Sequence, residues 1–466
     1  MNARPVYVVL LSLLLLGGCA GLGGSDNATP DATSPPETAE PTIAVAATAV
    51  ASGAAVASAG AATAPDATAA PTEPTVVPTS SPEGLEGQFA EIEQRVVGLR
   101  ELEPTGPIAP ALISRQQLHD NLVRLQADQY SQDEARQDAD LLWLLRLSDD
   151  RDLNLFNLYV DLLTERVLGY YDPETKELYI VNDEPELSAL GEMTVAHEMV
   201  HALQDQHTNL LALSDDEVDG DRALAHSALI EGDAEVTATR YILEYFDRAQ
   251  LMDLAIESGG ASSDVLDSAP AYVRDSLYFP YIQGVEFATQ LYQIRGVDGQ
   301  TAALADPPSS SEQILHPEKY LDERDEPLTV VIQDLEPILG NGWKQARTDT
   351  IGEFDLRVLL RENGAQDAEG AAAGWGGGQY SLYSGPAASD ALVAVTVEWD
   401  TDADAGEFVV ALGQTFGMDD LTGRIISDDQ GRHSAVVRSG ASVTLITSTD
   451  ANAVERARQA LATQTS

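Results

Sequence analysis

The chain is short of cysteine and of basic residues. Its 466 residues contain 1 Cys, so no disulfide can form within it and any fold has to rest on burial. With 44% hydrophobic residues, it is long enough to bury a sizeable core. Lys and Arg total 26 against 76 Asp and Glu, a formal net charge of -50. That balance excludes an ordinary nucleic-acid binder, which needs clustered cations to neutralise phosphates. It equally opposes docking on anionic lipid head groups. The acidic excess reads as a solvated surface that keeps the protein soluble, with steering of basic substrates as the alternative. Long apolar runs are scarce too. The first one, Val6 to Leu16, falls short of the roughly 20 residues that a spanning helix requires.

That early run does match a secretory signal, with Arg4 before it and small residues after it. Leu16-Gly17-Gly18-Cys19 resembles the bacterial lipoprotein signal. The resemblance implies removal of a signal peptide, residues 1–18, and lipidation of Cys19, giving an extracytoplasmic protein anchored to the cell membrane. Ser25 to Pro82 is Ala, Thr and Pro with almost no large apolar side chains. Such a composition cannot offset its own ordering entropy, so residues 19–84 are expected to be a disordered tether.

The remainder is expected to be α+β, with a mainly helical region at 85–325 and a smaller α+β domain at 326–466. Leu112 to Leu168 has helical spacing and predicts two or three helices. "RVLGYYDPETKELYIV" predicts a hairpin of Val167–Tyr171 and Leu178–Val181 around Asp172 and Pro173. Long helices are expected near Leu190–Gln206 and Arg222–Phe246, and more helix follows to about Tyr320. Beyond Glu326, strands are expected at Leu328–Ile332, Tyr380–Tyr383, Ala391–Trp399, Arg424–Ile426, Ser434–Val437 and Ser442–Ile446. Helices are expected there at Phe354–Leu360, Gly406–Phe416 and Ala453–Leu461. A two-strand-then-helix order occurs twice in that stretch, as a ferredoxin-like unit would allow.

"TVAHEMVHALQDQH" holds three of the chain's 7 His. His197 and His201 lie one helical turn apart, so both rings project from one face with about 6 Å of rise between them. Two neutral imidazoles at that spacing suit Zn²⁺, and Glu198 is placed to act as general base on a zinc-bound water. Apolar residues on most sides of the helix predict that it is buried, and a buried His pair needs partners.

A catalytic zinc usually takes three protein ligands and a water. His207 stands at the spacing of a metzincin third ligand, but Gln204 occupies the position where that motif breaks the helix with Gly, and Gln is a good helix former. The alternative lies in "DRALAHSALIEGDAEVTATRYILEYF", where Leu224, Ala228, Glu231, Glu235, Ala238 and Ile242 share one face. Carboxylates on an apolar stripe are costly unless paired or metal-bound. Either Glu231 ligates zinc with Glu235 supporting a His, or the pair forms buried salt bridges, for instance to Arg240 or Arg166.

"HEMVHALQD" with "EGDAE" resembles the gluzincin, thermolysin-like class of zinc metallopeptidases. The resemblance spans at most Leu168 to Tyr320. It implies His197, His201 and Glu231 as metal ligands, Glu198 as catalytic base and Glu235 in support of a ligand His. Asp205 matches an Asp of that class and is expected to be structural. The helix-to-helix spacing is longer than in that class, and Glu235 stands where Asp is common. The Gly-x-Met-Glu-Asn motif of the related aminopeptidases is missing, which favours an endopeptidase. The class also implies an exposed edge strand that pairs with substrate, a place taken by Leu178–Val181. For the oxyanion, His316 is the candidate donor, ahead of Tyr320, Tyr278 and Tyr281. The expected function is zinc-dependent hydrolysis of a peptide or protein substrate. The competing class is a non-catalytic lipoprotein binding or assembly module on the same fold.

Overall fold

A computed structural model describes residues 10–11, 84–182, 184–213, 218–258, 264–418, 421 and 423–463. Apart from Leu10, Leu11 and Gly84, the expected signal peptide and tether, Cys19 included, lie outside the described residues. The architecture is α+β.

A helix at Leu85–Arg100, which hydrophobic spacing had not marked, is followed by a strand at Pro110–Ile113 and by helices at Arg115–Gln129, Gln132–Leu144 and Leu155–Arg166. Ser114 and Ser131 open two of these with capping boxes, each Ser accepting from the backbone three residues on. The hairpin forms at Gly169–Asp172 and Glu177–Val181. Its second strand is not an edge, because Pro110–Ile113 pairs parallel to it on the far side. The strand assigned the free edge, Leu178–Val181, is therefore central, and Gly169–Asp172 lies on its other side. That strand pairs antiparallel with Leu10 and Leu11. Strand spacing alone does not say which side of a hairpin a distant segment will cover.

Two long helices carry the centre of this region, Ala189–His207 and Gly220–Tyr245. Ser188 caps the first by accepting from Gly191 N, and Asp219 caps the second by accepting from Arg222 N. A third long helix, Ala271–Ala305, bends at Gly296 and packs across the second. Where they cross, a Cβ on Gly232 would lie 2.2 Å from Gly284 O, and one on Gly284 would lie 2.3 Å from Ala228 O. Only glycines let the two backbones touch there. Val195, Met199, Val200 and Leu203 are all fully buried, each contributing about 1.5–3 kcal/mol. Their burial offsets the desolvation of the polar residues on the same helix.

The C-terminal part is a six-stranded antiparallel sheet. Its order is Lys344–Thr350, Trp375–Ser384, Ala391–Trp399, Ser442–Ser448, His433–Ser439 and Ile426–Ser427. Helices form at Glu353–Glu362, Asp402–Thr415 and Ala451–Thr463. The two hairpins meet through antiparallel Ala391–Trp399 and Ser442–Ser448, whereas a ferredoxin-like unit alternates strand and helix before its hairpin. Leu328–Ile332 is not a strand. It runs beside Gly376 and Gly377, with Leu328 N donating to Gly376 O, and its carbonyl would lie 2.4 Å from a Cβ on Gly377. The glycines of "GWGGGQY" thus admit a neighbouring chain. The strand missed in its place, Lys344–Thr350, is polar and at the sheet edge, so alternation does not mark it. One apolar core includes residues on both sides of residue 326; Phe279 and Phe354, for example, have ring centroids 4.7 Å apart.

Candidate metal centre

The helix Ala189–His207 continues without a break past Gln204, so His207 ends on its far turn, where its Nε2 is 2.8 Å from Glu103 O. His197 and His201 instead turn inward and are fully buried, as is Glu198 between them in sequence. Their rings stand edge to face with centroids 4.7 Å apart. The neighbouring helix brings Glu231 opposite them. His197 Nε2 lies 3.0 Å from His201 Nε2 and 3.2 Å from Glu231 Oε2, while His201 Nε2 is 3.4 Å from the same oxygen.

These three separations decide what the site can hold. A tetrahedral zinc with ligands at about 2.0–2.1 Å separates its donor atoms by roughly 3.3 Å along each edge. The triangle already has that size, formed by two imidazole nitrogens and one carboxylate oxygen. The donor chemistry suits zinc, and the residues fit the group. Among the described residues one other cluster could hold a metal, Glu312, Asp325 and Asp400. There the Lys319 ammonium sits 2.6, 2.9 and 3.4 Å from the three carboxylates and already supplies the cation.

Electrostatics tie the trio together. Burial opposes a charge on His197, but the adjacent carboxylates of Glu231 and Glu235 outweigh burial and raise its pKa well above the usual imidazole range. Burial likewise opposes ionisation of Glu231, yet the imidazoles of His201 and His197 beside it lower its pKa to about 2. Glu235 Oε1 is 3.3 Å from His197 Nδ1, on the side of the ring away from the trio. Its alignment there falls short of a hydrogen bond, since His197 Nδ1 has no such partner among the described residues. Arg240, considered as a salt-bridge partner for these carboxylates, donates to Leu99 O instead.

Asp205 lies farther along the helix and ties it to the hairpin. Its Oδ2 accepts from Tyr171 Oη at 2.7 Å and Lys176 Nζ at 2.6 Å, and its Oδ1 accepts from Leu210 N. His316 is not turned toward the imidazole pair. Its Nε2 is 3.1 Å from both Glu353 Oε1 and Arg357 Nη2, and its Nδ1 faces Glu318. Tyr320 donates to Asp306 O. A cavity lined in part by Tyr130, Asp221, Leu224, Tyr272, Arg347 and Asp349 includes none of the trio.

The residue that sequence reasoning missed is Gln204. Its Oε1 lies 2.9 Å from His201 Nδ1, and its Nε2 donates to Ile230 O at 3.1 Å and Asp233 Oδ2 at 2.8 Å. The available signal was its spacing, three residues after His201 and so on the same helical face.

A family model described as a domain of unknown function (DUF8575) matches residues 338–458, which form the C-terminal sheet region and exclude the candidate centre. No curated protein and no solved structure matches the chain.

Proposed function

We propose that this chain is a zinc-dependent peptidase with a zincin-like helical region, of gluzincin type, exported and held to the membrane through Cys19. The observation that carries the reading is the donor triangle of His197, His201 and Glu231, with edges of 3.0, 3.2 and 3.4 Å. A pair of core histidines satisfied by carboxylates needs no such convergence. The metzincin-like alternative loses support because His207 is committed to Glu103 O.

When bound, zinc supplies Lewis acidity to a water and to the scissile carbonyl. His197 and His201 would hold it from one helix, and Glu231 from the other. Glu198 would take the proton of the attacking water and deliver it to the leaving amine, the usual work of a buried carboxylate general base. Glu235 faces the Nδ1 side of His197 and orients that ring. An extended substrate backbone would add to Gly169–Asp172, whose outer side pairs with Leu10 and Leu11. Those two residues belong to the segment that export would remove, and the vacated edge offers main-chain hydrogen bonds with little sequence preference. An oxyanion donor is not assigned to His316.

The reading requires about one zinc per chain in purified protein. Glu198→Gln should keep the metal and lose about 10²–10⁴-fold in cleavage of an unstructured protein substrate. Equal cleavage by the variant and the wild type would remove the peptidase proposal, and a chain that takes up no zinc would favour the binding-module reading. No helix among the described residues is long and apolar enough to cross a membrane. On the lipoprotein reading, replacing Cys19 with Ser should release the protein from the membrane fraction.

A further inference from the structure

His201 is the inner member of a buried chain of polar groups that reaches three helices. Gln204 turns its amide nitrogen to two oxygens, Ile230 O and Asp233 Oδ2, at 3.1 and 2.8 Å. Arg100, the last residue of the helix Leu85–Arg100, places Nη2 3.0 Å from that same Asp233 oxygen and 3.4 Å from Thr301 Oγ1. Arg100, His201, Gln204 and Asp233 are all 0% exposed. The polarity of the chain follows from what each group can do. A guanidinium only donates, so Asp233 Oδ2 accepts from Arg100. The same oxygen and the Ile230 carbonyl together require the amide NH₂ of Gln204, which leaves Gln204 Oε1 facing the imidazole. A carbonyl oxygen only accepts, so Nδ1 of His201 carries a proton, and in the neutral ring Nε2 then keeps the lone pair. That lone pair points at His197 Nε2, 3.0 Å away, and Glu231 Oε2, 3.4 Å away.

The arrangement is an expensive way to add stability. Arg100 Nε, Arg100 Nη1 and Asp233 Oδ1 have no hydrogen-bond partner among the described residues, and a buried ion pair with unsatisfied groups gains little over apolar packing. A role in orienting the ligand accounts for keeping it.

We propose that Arg100, Asp233 and Gln204 are positioning residues: they act in series to lock His201 as its Nδ1–H tautomer, holding Nε2 ready as a lone-pair donor to a divalent cation. This deepens the zinc reading above and rests on it. The chain differs from the support given to His197, which comes from the carboxylate of Glu235 on the other side of the centre.

The test uses the metal-free full chain with ¹⁵N-labelled histidine, whose ring nitrogen shifts report the tautomer directly. The wild type should show His201 as Nδ1–H before any metal is added. Gln204→Met, which preserves length, removes the acceptor of the Nδ1 proton, and the Nε2–H form should then appear. Zinc affinity of Gln204→Met, and of Asp233→Leu, which removes the oxygen shared by Arg100 and Gln204, should fall about 10–100-fold by chelator competition. Circular dichroism checks that each variant is folded, and the wild-type tautomer needs no variant at all. A wild type that binds zinc but holds His201 as Nε2–H beforehand overturns the proposal, and so does a folded Gln204→Met with wild-type tautomer and affinity. A wild type that takes up no zinc overturns instead the peptidase reading on which the purpose of the chain depends.

Discussion

Gly232→Ala tests the packing that places Glu231. The added Cβ would stand 2.2 Å from Gly284 O, 2.5 Å from its carbonyl carbon and 3.1 Å from Ala288 Cβ. Non-bonded carbon contacts settle at about 3.5 Å, so the two helices must part by roughly 1 Å. Both obstacles at the shortest distances are backbone of a long helix and cannot rotate aside. Overpacking of this kind costs about 3 kcal/mol, against which Ala gains about 1 kcal/mol over Gly in a helix interior. The net loss is then about 2 kcal/mol, a fall of several degrees in melting temperature. Glu231 is the adjacent residue, and ligand geometry tolerates only about 0.5 Å, so zinc affinity should drop at least about tenfold as well. Gly191→Ala is the control. Its Cβ would meet nothing nearer than Leu187 Cδ2 at 3.5 Å, and it should leave stability unchanged or raise it by up to about 1 kcal/mol. Thermal unfolding followed by circular dichroism and zinc titration read both variants. A Gly232→Ala protein as stable as the wild type, with undiminished zinc affinity, would refute the backbone contact as the device that sets the carboxylate.

The metal-free centre should release about one proton as it takes up zinc near neutral pH, because His197 binds metal only as the neutral ring. Burial works to lower its pKa, but Glu231 and Glu235 together raise it well above 6.5. A raised pKa stabilises the metal-free fold below the unfolded value, and that contribution is lost as pH climbs through the folded one. Zinc affinity should therefore increase with pH while the metal-free protein weakens on the alkaline side. Calorimetry in buffers of different ionisation enthalpy measures the proton count, and buffer-independent heats would contradict it. Asp205→Ala removes the acceptor of Tyr171 and Lys176 and should cost about 2–3 kcal/mol. Hydrogen exchange should rise in Gly169–Asp172 more than in the helix Gly220–Tyr245; uniform exchange would contradict a local tether.

What could be read from the chain alone was what is local. The one-turn spacing of His197 and His201, the good helix former at Gln204 and the shared face of Glu231 and Glu235 each follow from helical geometry over a few residues. They were enough to bring two imidazoles and one carboxylate forward as a metal set. Tertiary structure decided the rest, because the relevant contacts join segments far apart in sequence. Pro110–Ile113 covered the strand expected to be free, Glu353 and Arg357 claimed His316, and Arg100 met Asp233 across the core. No periodicity encodes such meetings. They depend on which helices can approach closely enough, and here Gly232 and Gly284 permit backbone contact that any side chain would prevent.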